Sequence, residues 1–137
     1  YFMPFKYDTP TPSGNNRLEQ NHIHHVMDAL QDGGGIYTLG NMSGTTIRGN
    51  HIHDNPGIPG GIYLDEGSGF IEVTSNVVYN VHTPMNFNNR NQNRIATCNE
   101  HDNFFGFPPD DPASPPDVRK VIDEAGLLPQ YRDLLGR

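Results

Sequence analysis

The sequence is short of charged residues, apolar residues and cysteine. Of its 137 residues, 18% are charged and 34% are apolar, against averages of about 25% and 45–50% in globular domains. Cys98 is the one cysteine, which excludes an internal disulfide framework and a multi-cysteine zinc site. No apolar run approaches the ~18 residues of a membrane-spanning helix, so the sequence predicts no contact with a membrane.

Positive charge is scarcer than negative charge. The chain has 9 Lys and Arg against 16 Asp and Glu, a net charge of -7, and no lysine lies between Lys6 and Lys120. A surface that binds nucleic acid needs a basic patch to pair with the phosphates. The composition therefore argues against nucleic acid as a partner.

Asparagine, glycine and proline make up much of the remainder. The chain has 15 Asn, 15 Gly and 12 Pro, and its length is typical of one domain. Disordered chains pair low hydrophobicity with high net charge, whereas here both the apolar and the charged fractions are low. This composition predicts a fold made mostly of turns around a narrow core.

Two short motifs recur along the chain. Four segments that begin with Asn align at spacings of 29, 26 and 23 residues, namely 21–26, 50–55, 76–81 and 99–104. A Gly-Gly-Ile-Tyr motif at 34–37 recurs at 60–63, and 85–88 is interpreted as its third copy. Short β-branched pieces that return every ~20–29 residues, with no helical pattern between them, predict a parallel β-solenoid.

In a solenoid each turn of the chain, called a coil below, stacks on the previous one at ~4.8 Å. The recurrent Asn suits a corner because it tolerates left-handed backbone, and its amide can bond the Asn of the next coil. Strand alternation places Ile36, Ile62 and Met85 inside and Tyr37 and Tyr63 outside. A second predicted inward column consists of Ile23, Ile52, Val78 and His101.

The C-terminal part has a different composition. Residues 107–116 are rich in proline and predict an extended linker. Asp117 is placed to cap a short helix over 118–125 that ends at Gly126, and 129–135 predicts a further helical turn. We interpret this tail as a brace packed against the coils.

The predicted domain boundary follows from this change. Residues 1–107 are interpreted as the coils of the solenoid, and 108–137 as the linker and a C-terminal helical cap. A cap is expected because exposed strands at the end of a solenoid invite pairing with other chains.

Three stretches carry a resemblance to a known superfamily. They are Asp-Gly-Gly-Gly-Ile-Tyr at 32–37, Gly-Thr-Thr-Ile-Arg-Gly-Asn-His-Ile-His-Asp at 44–54, and Gly-Ile-Tyr-Leu-Asp-Glu-Gly at 61–67. Over roughly 17–105 and the tail, the sequence resembles the right-handed parallel β-helix proteins of the pectate-lyase-like superfamily. More narrowly, it is similar to the C-terminal part of bacterial β-helix glycoside hydrolases. The resemblance implies an all-β fold, a right-handed parallel β-helix of about four coils with a short C-terminal helical tail.

The resemblance also implies hydrolysis of glycosidic bonds in a polysaccharide. Glycosidases use two carboxyl groups, ~5–5.5 Å apart for retention and ~6.5–9.5 Å apart for inversion. Similar hydrolases have acidic residues at the positions of Asp32 and Asp65, so this pair, with Glu66 beside it, is the predicted catalytic set. On straight strands Asp32 and Asp65 would lie ~20 Å apart, and they meet only if the glycines at 33–35 bend the chain. The alternative is that Asp32 begins a turn and the other two cap a strand end.

Four further residues are predicted to contact a sugar on the same face. Stacked Tyr37 and Tyr63 suit the apolar C–H faces of a sugar ring, although a cross-strand pair that only stabilises the sheet has the same pattern. Asn86 and Asn88 can bond sugar hydroxyls, and the alternative for them is the filling of turns.

Histidines are concentrated in the two best-matched repeats. His22 is predicted to stack over His51, and His24 over His53. Such stacks can hold a metal or position a substrate, but repetition alone produces them. The sequence therefore predicts no metal and no cofactor, with His24 and His53 as acid–base helpers that contact the substrate.

Two other functions remain open. A non-catalytic carbohydrate-binding or structural β-helix fragment is the first alternative, since a short solenoid offers few subsites. A polysaccharide lyase or epimerase is the second, but lyase chemistry needs a cation to neutralise a uronate. Arg48, Arg90 and Arg94 are the basic residues in the well-matched coils, so a lyase ranks below a hydrolase.

The predicted partner is a polysaccharide or an oligosaccharide. By resemblance the protein is expected to be secreted or periplasmic, although no signal-peptide pattern follows Tyr1. The first coil has no neighbour below it, so we expect self-association or a missing N-terminal region.

Overall fold

The computed structural model describes residues 12–88 and 94–136. The strands within these ranges are β1 (Arg17–Glu19), β2 (His22–His24), β3 (Gly33–Thr38), β4 (Asn41–Arg48), β5 (His51–Leu64), β6 (Gly69–Thr74), β7 (Val77–Phe87), β8 (Asn99–His101) and β9 (Phe104–Phe105). The helices are α1 (Pro116–Glu124) and two 3-10 helices, Arg94–Thr97 and Pro129–Gly136.

The strands form two parallel sheets along a winding chain. The first sheet has the order β1-β4-β6-β8 and the second the order β2-β5-β7-β9, with β3 also paired to β5. The chain alternates between the sheets, so it completes about three coils and begins a fourth. The predicted all-β parallel solenoid, with a small helix near the C-terminus, is confirmed.

The predicted columns are present in the strand register. Ile23 lies opposite Ile52, which lies opposite Val78. Likewise Ile36 lies opposite Ile62, and Ile62 opposite Met85. The core is built from these and similar columns, and its fully buried members include Ile47, Ile52, Ile62, Leu64, Val73 and Val78. A one-residue slip would turn all of these side chains outward, so burial fixes the register.

A ladder of asparagine side chains runs along one corner between the sheets. Asn21 donates from Nδ2 to Oδ1 of Asn50 over 2.8 Å, and Asn50 donates to Asn76 over 2.8 Å. Asn76 donates in turn to Asn103 over 2.9 Å. The fourth member of the ladder is therefore Asn103, and the predicted alignment of Asn99 with this column is wrong.

The register of the whole fourth coil therefore differs from the predicted one. Asn99 lies on β8 opposite Glu72, and His101 lies opposite Thr74 in the first sheet. The residue that follows Val78 in the inward column is Phe105, not His101. The physical reason is that a ladder Asn must reach the carbonyl of the preceding coil, as Asn103 does by donating to the Val73 oxygen over 2.9 Å.

The helix α1 begins earlier than the sequence predicts. It starts at Pro116 with Pro115 as its N-cap residue, and no side chain caps it. Asp117 therefore lies in the first turn and is not the cap. Proline is favoured in the first turn because it has no N–H to leave unpaired there and its φ is already helical. The helix ends at Glu124, shortly before Gly126 with φ 85°.

The tail packs against the side of the coils. Val118 of α1 is buried in a small apolar cluster with Val77 and Tyr79 of β7. Beyond the helix, the Gly126 N–H donates to the Gln20 carbonyl over 2.8 Å, which attaches the tail to the first coil. The boundary between 1–107 and 108–137 stays a prediction, as does self-association through the first coil. None of the helices in 12–88 and 94–136 combines the length and apolarity needed to cross a membrane.

Candidate functional site

Two of the predicted acids meet around a pair of tyrosines. Tyr37 near the end of β3 lies opposite Tyr63 near the end of β5. The two rings contact edge to face, with centroids 5.3 Å apart and an interplanar angle of 87°. We call Asp32, Tyr37, Tyr63, Asp65 and Asn88 the carboxylate–tyrosine cluster.

Hydrogen bonds join the members of this cluster. The Tyr63 hydroxyl donates to Asp32 Oδ1 over 3.3 Å and makes a weaker contact with Asp65 that adds a small contribution to the shifts of both pKa values. The Tyr37 hydroxyl donates to Asp65 Oδ2, and Asn88 Nδ2 donates to Asp65 Oδ1 over 2.6 Å. Asp65 is therefore the acceptor at the centre of the cluster.

The contact between the two tyrosines brings the two carboxylates to one place on the sheet. The Tyr63 hydroxyl bonds Asp32, the Tyr37 hydroxyl bonds Asp65, and the two rings contact each other. Glycosidases use two carboxyl groups that flank the scissile bond, and two neighbouring carboxylates on one face are compatible with that chemistry.

Local backbone geometry makes the meeting possible. Asp32 adopts a left-handed conformation with φ 63°, and its N–H donates to the Ile58 carbonyl over 2.8 Å. Gly35 follows in close packing, since a Cβ there would lie 2.7 Å from Cγ2 of Ile52. The turn at Asp32 and the long side chain of Tyr63 together span the separation that straight strands would impose.

The two carboxylates have different surroundings. Asp65 is buried, with 7% of its surface exposed, and Asp32 is exposed. Burial acts to raise the pKa of Asp65, but the hydrogen bonds from Tyr37, Asn88, the Glu66 backbone and Tyr63 outweigh it and hold that pKa below its usual value. Asp65 is therefore ionised at neutral pH.

The pKa values of the two tyrosines are raised, in contrast to that of Asp65. Burial, and next the hydrogen bond to Asp65, raise the pKa of Tyr37 well above its usual value. Burial and the charges of Asp65 and Asp32 raise the pKa of Tyr63 in the same way. Both hydroxyls stay protonated and act as donors to the carboxylates.

The remaining predicted residues of this face lie beside the cluster. Asn86 lies opposite Tyr63 on β7 and is half-buried. Glu66 lies in the turn before β6, where its carbonyl accepts from the Gly40 N–H over 2.8 Å. The two tyrosines differ, since Tyr37 is 44% exposed and Tyr63 only 5%, so Tyr37 is the ring with a face open to a ligand.

A second group of polar side chains lies on the outer face of the second sheet. The His22 and His51 rings stack with centroids 4.5 Å apart and an interplanar angle of 1°. His53 joins them from the next column, with its Nε2 atom 2.7 Å from His22 Nε2. One ring nitrogen from each of the three lies within 4.8 Å of the others. We call His22, His51 and His53 the histidine cluster.

The neighbours of the histidine cluster were only partly predicted. His24 stacks on His53 at 5.2 Å, as the repeats predict, and bonds His25 through the Nδ1 atoms at 2.8 Å. Asp54 and Tyr79 were missed as partners: Asp54 Oδ2 lies 2.6 Å from His53 Nδ1, and the Tyr79 hydroxyl lies 3.0 Å from His51 Nε2. The adjacency of His53 and Asp54 in the sequence was the available signal.

The electrostatics of this cluster keep its buried ring neutral. Burial, and then the neighbouring histidines, lower the pKa of His51 to about 3. Burial likewise lowers the pKa of His22, with smaller effects from His53 and His24. The contacts described within 12–88 and 94–136 do not join the histidine cluster to the carboxylate–tyrosine cluster.

Two cavities lie between the coils and the tail. The larger, about 660 Å³, is lined by charged residues of both signs, among them Glu19, Arg48, Asp102, Asp117 and Lys120. The smaller, about 280 Å³, is lined by His22 and His51 from the coils and by Ile122, Asp123, Leu127 and Arg132 from the tail. The histidine cluster therefore opens into the smaller cavity.

Comparison with known proteins defines the class. The family described as right-handed β-helix region matches residues 11–108, and the chain belongs to this family. A solved structure titled glycoside hydrolase is similar, with 28% sequence identity, a TM-score of 0.65 and coverage of 94% of this chain and 20% of that chain. The present chain thus spans about a fifth of that structure. No curated protein matches the chain.

Proposed function

We propose that this chain is part of a carbohydrate-active β-helix protein that hydrolyses glycosidic bonds of a polysaccharide. The observation that carries the proposal is the meeting of two carboxylates at one tyrosine pair, where Tyr63 bonds Asp32, Tyr37 bonds Asp65 and the two rings contact each other. Glycoside hydrolysis uses two carboxyl groups on either side of the scissile bond. The similarity to a structure titled glycoside hydrolase supports the same class.

The surroundings of the two acids suggest their roles. Asp65 is ionised and oriented by Tyr37 and Asn88, which suits the nucleophile or general base. A carboxylate has about four lone-pair sites, so an approach to the sugar or to water remains. Asp32, the second acid of the cluster, is then assigned the general-acid role of protonating the leaving oxygen. Glu66 stays a secondary candidate beside the pair.

Substrate contacts follow from the exposed surface around the pair. The open ring of Tyr37 can stack on a sugar face, and Asn86 can bond its hydroxyls. The predicted contacts of His24 and His53 with substrate remain part of the proposal, with the sugar extending along the outer face of the second sheet. An extracellular or periplasmic site of action fits a polysaccharide substrate.

A non-catalytic carbohydrate-binding role is the second candidate. It is favoured by one observation, the 44% exposure of Tyr37 beside hydrogen-bonding groups. Such a surface can hold a sugar without cleaving it.

The test is hydrolysis of a panel of neutral and acidic polysaccharides by the purified chain. New reducing ends without the ultraviolet absorbance of an unsaturated uronate would support the hydrolase, and that absorbance would indicate a lyase. Asp32→Asn and Asp65→Asn are each expected to lower the hydrolytic rate by about 100-fold or more. Asp133→Asn, an exposed acid in the tail, is the matched control. Equal activity of all three variants would refute the assigned pair, and glycan binding without turnover would favour the second candidate.

A further inference from the structure

We propose that His22, His51 and His53 bind one divalent transition-metal ion of the zinc class. Repeated histidine columns alone do not make such a site, because stacked rings in separate columns need not converge. The structure adds convergence, since the Nε2 atom of His53, which belongs to the neighbouring column, lies 2.7 Å from His22 Nε2.

The spacing of the nitrogens suits a shared ion. One nitrogen of each ring lies within 4.8 Å of the other two. Zinc–nitrogen bonds of ~2.0–2.1 Å at tetrahedral angles place ligand nitrogens ~3.3 Å apart. Binding would therefore rotate the rings about their side-chain bonds, widening the 2.7 Å contact and closing the longer spacings.

A carboxylate prepares His53 for this role. Asp54 Oδ2 lies 2.6 Å from His53 Nδ1, so Nδ1–H donates to Asp54 and the Nε2 lone pair is directed at the cluster. Asn80 Nδ2 holds the other oxygen of Asp54 over 3.0 Å. A carboxylate that orients a ligating imidazole in this way is a recurrent feature of zinc sites.

The surroundings give the ion access and an open position. His22 is exposed, whereas 5% of His51 is exposed, so the cluster extends from the surface inward. It opens into the cavity of about 280 Å³ that Asp123 and Arg132 of the tail also line. The Arg132 guanidinium is bonded to the Asp123 carbonyl over 2.5 Å and, through Nε, to the Leu127 carbonyl over 3.3 Å. Three protein nitrogens leave a coordination position for water or a small ligand.

The test uses Co²⁺ as a spectroscopic probe with the metal-free chain. One Co²⁺ per chain should bind and give the visible absorption bands of a four- or five-coordinate ion, and Zn²⁺ should displace it. His53→Gln is expected to weaken binding at least about 100-fold, because it removes one of three ligands. Asp54→Asn is expected to weaken it about 10- to 100-fold while all three ligands remain.

The controls separate the site from ordinary surface histidines. His82→Gln changes an exposed histidine outside the cluster and should leave Co²⁺ affinity unchanged. His22→Gln alters an exposed side chain, so it should keep the apo melting temperature and lose the rise in melting temperature that Zn²⁺ gives the unaltered chain. Absence of stoichiometric binding, or equal losses in His53→Gln and His82→Gln, would overturn the proposal. Since no catalytic activity is measured, the result is independent of the proposed hydrolysis.

Discussion

The Asn50 side chain donates to the Asn76 side chain over 2.8 Å, and both are fully buried. Each also uses Nδ2 to bond a carbonyl of the preceding coil, Asn50 to Leu18 and Asn76 to Ile47. Buried polar groups are tolerated only when they are bonded. The ladder therefore fixes how one coil sits on the next, and with it the alignment of every outward residue.

The fourth ladder position gives the first prediction. Asn103→Ala removes the acceptor of the Asn76 amide and backbone N–H and should lower the free energy of unfolding by about 2–4 kcal/mol. Asn99→Ala, at the exposed position that the repeat alignment favours, should change it by less than about 0.5 kcal/mol. Chemical denaturation of both variants measures the difference. A larger loss of unfolding free energy in Asn99→Ala than in Asn103→Ala would mean that Asn99 is the ladder residue, as the repeat alignment predicts.

The strength of the sequence prediction varies with the local pattern. Between the first three coils, β-branched and glycine motifs repeat, and a single register buries all the apolar residues, as in the column of Ile36, Ile62 and Met85. In the fourth coil this pattern is absent, and two asparagines four residues apart compete for one corner. The bonds of Asn103 decide between them, since its Nδ2 reaches the Val73 carbonyl and its Oδ1 accepts from Asn76, and that is a matter of three-dimensional reach.

The candidate site, too, could be predicted from the sequence only in part. The register that pairs Tyr37 with Tyr63 follows from the repeated Gly-Gly-Ile-Tyr motif. The contact of Tyr63 with Asp32 does not, because it depends on the left-handed backbone of Asp32 and on side-chain length. Periodicity reports which residues share a column, whereas contacts between columns depend on side-chain reach, as the contact of His53 with His22 also shows.

The Tyr63 hydroxyl gives the second prediction. Tyr63→Phe keeps the buried ring but removes the donor that orients Asp32, so hydrolytic activity should fall about 10- to 100-fold. The fold should persist, because the ring contact with Tyr37 is retained. Reducing-end assays and thermal unfolding of the same samples measure both effects. Tyr131→Phe, at an exposed position of the tail, is the control, and a matching loss in that variant would contradict the role of Tyr63.

Acid stability gives the third prediction. The pKa of Asp65 is lower in the folded protein than its ordinary value because its hydrogen bonds outweigh its burial. The folded state thus binds this proton more weakly than the unfolded state, so Asp65 contributes stability above about pH 4 that is lost as pH falls through its folded pKa. In Asp65→Asn the free energy of unfolding should fall less steeply between about pH 4 and pH 2.

The control for that measurement is Asp133→Asn, which changes an exposed acid. Between about pH 4 and pH 2, its free energy of unfolding should fall with the same slope as that of the unaltered chain. If Asp65→Asn also keeps that slope, the hydrogen bonds from Tyr37 and Asn88 do not stabilise the ionised form.

Gly61, in the second Gly-Gly-Ile-Tyr motif, and Gly33, just before the first, give the last prediction. A Cβ at Gly61 would lie 2.7 Å from the Thr83 carbonyl oxygen and would clash with the Pro84 carbonyl, whereas the nearest atoms to a Cβ at Gly33 belong to the Met27 side chain. Backbone of the neighbouring coil cannot withdraw without breaking strand pairing, but a methionine side chain can change rotamer. Gly61→Ala should therefore lower the free energy of unfolding by about 3 kcal/mol, and Gly33→Ala by less than about 1 kcal/mol. Denaturant titration of the two variants measures this difference. Equal losses would mean that the close approach of β5 and β7 at this bend does not set the cost of a side chain at Gly61.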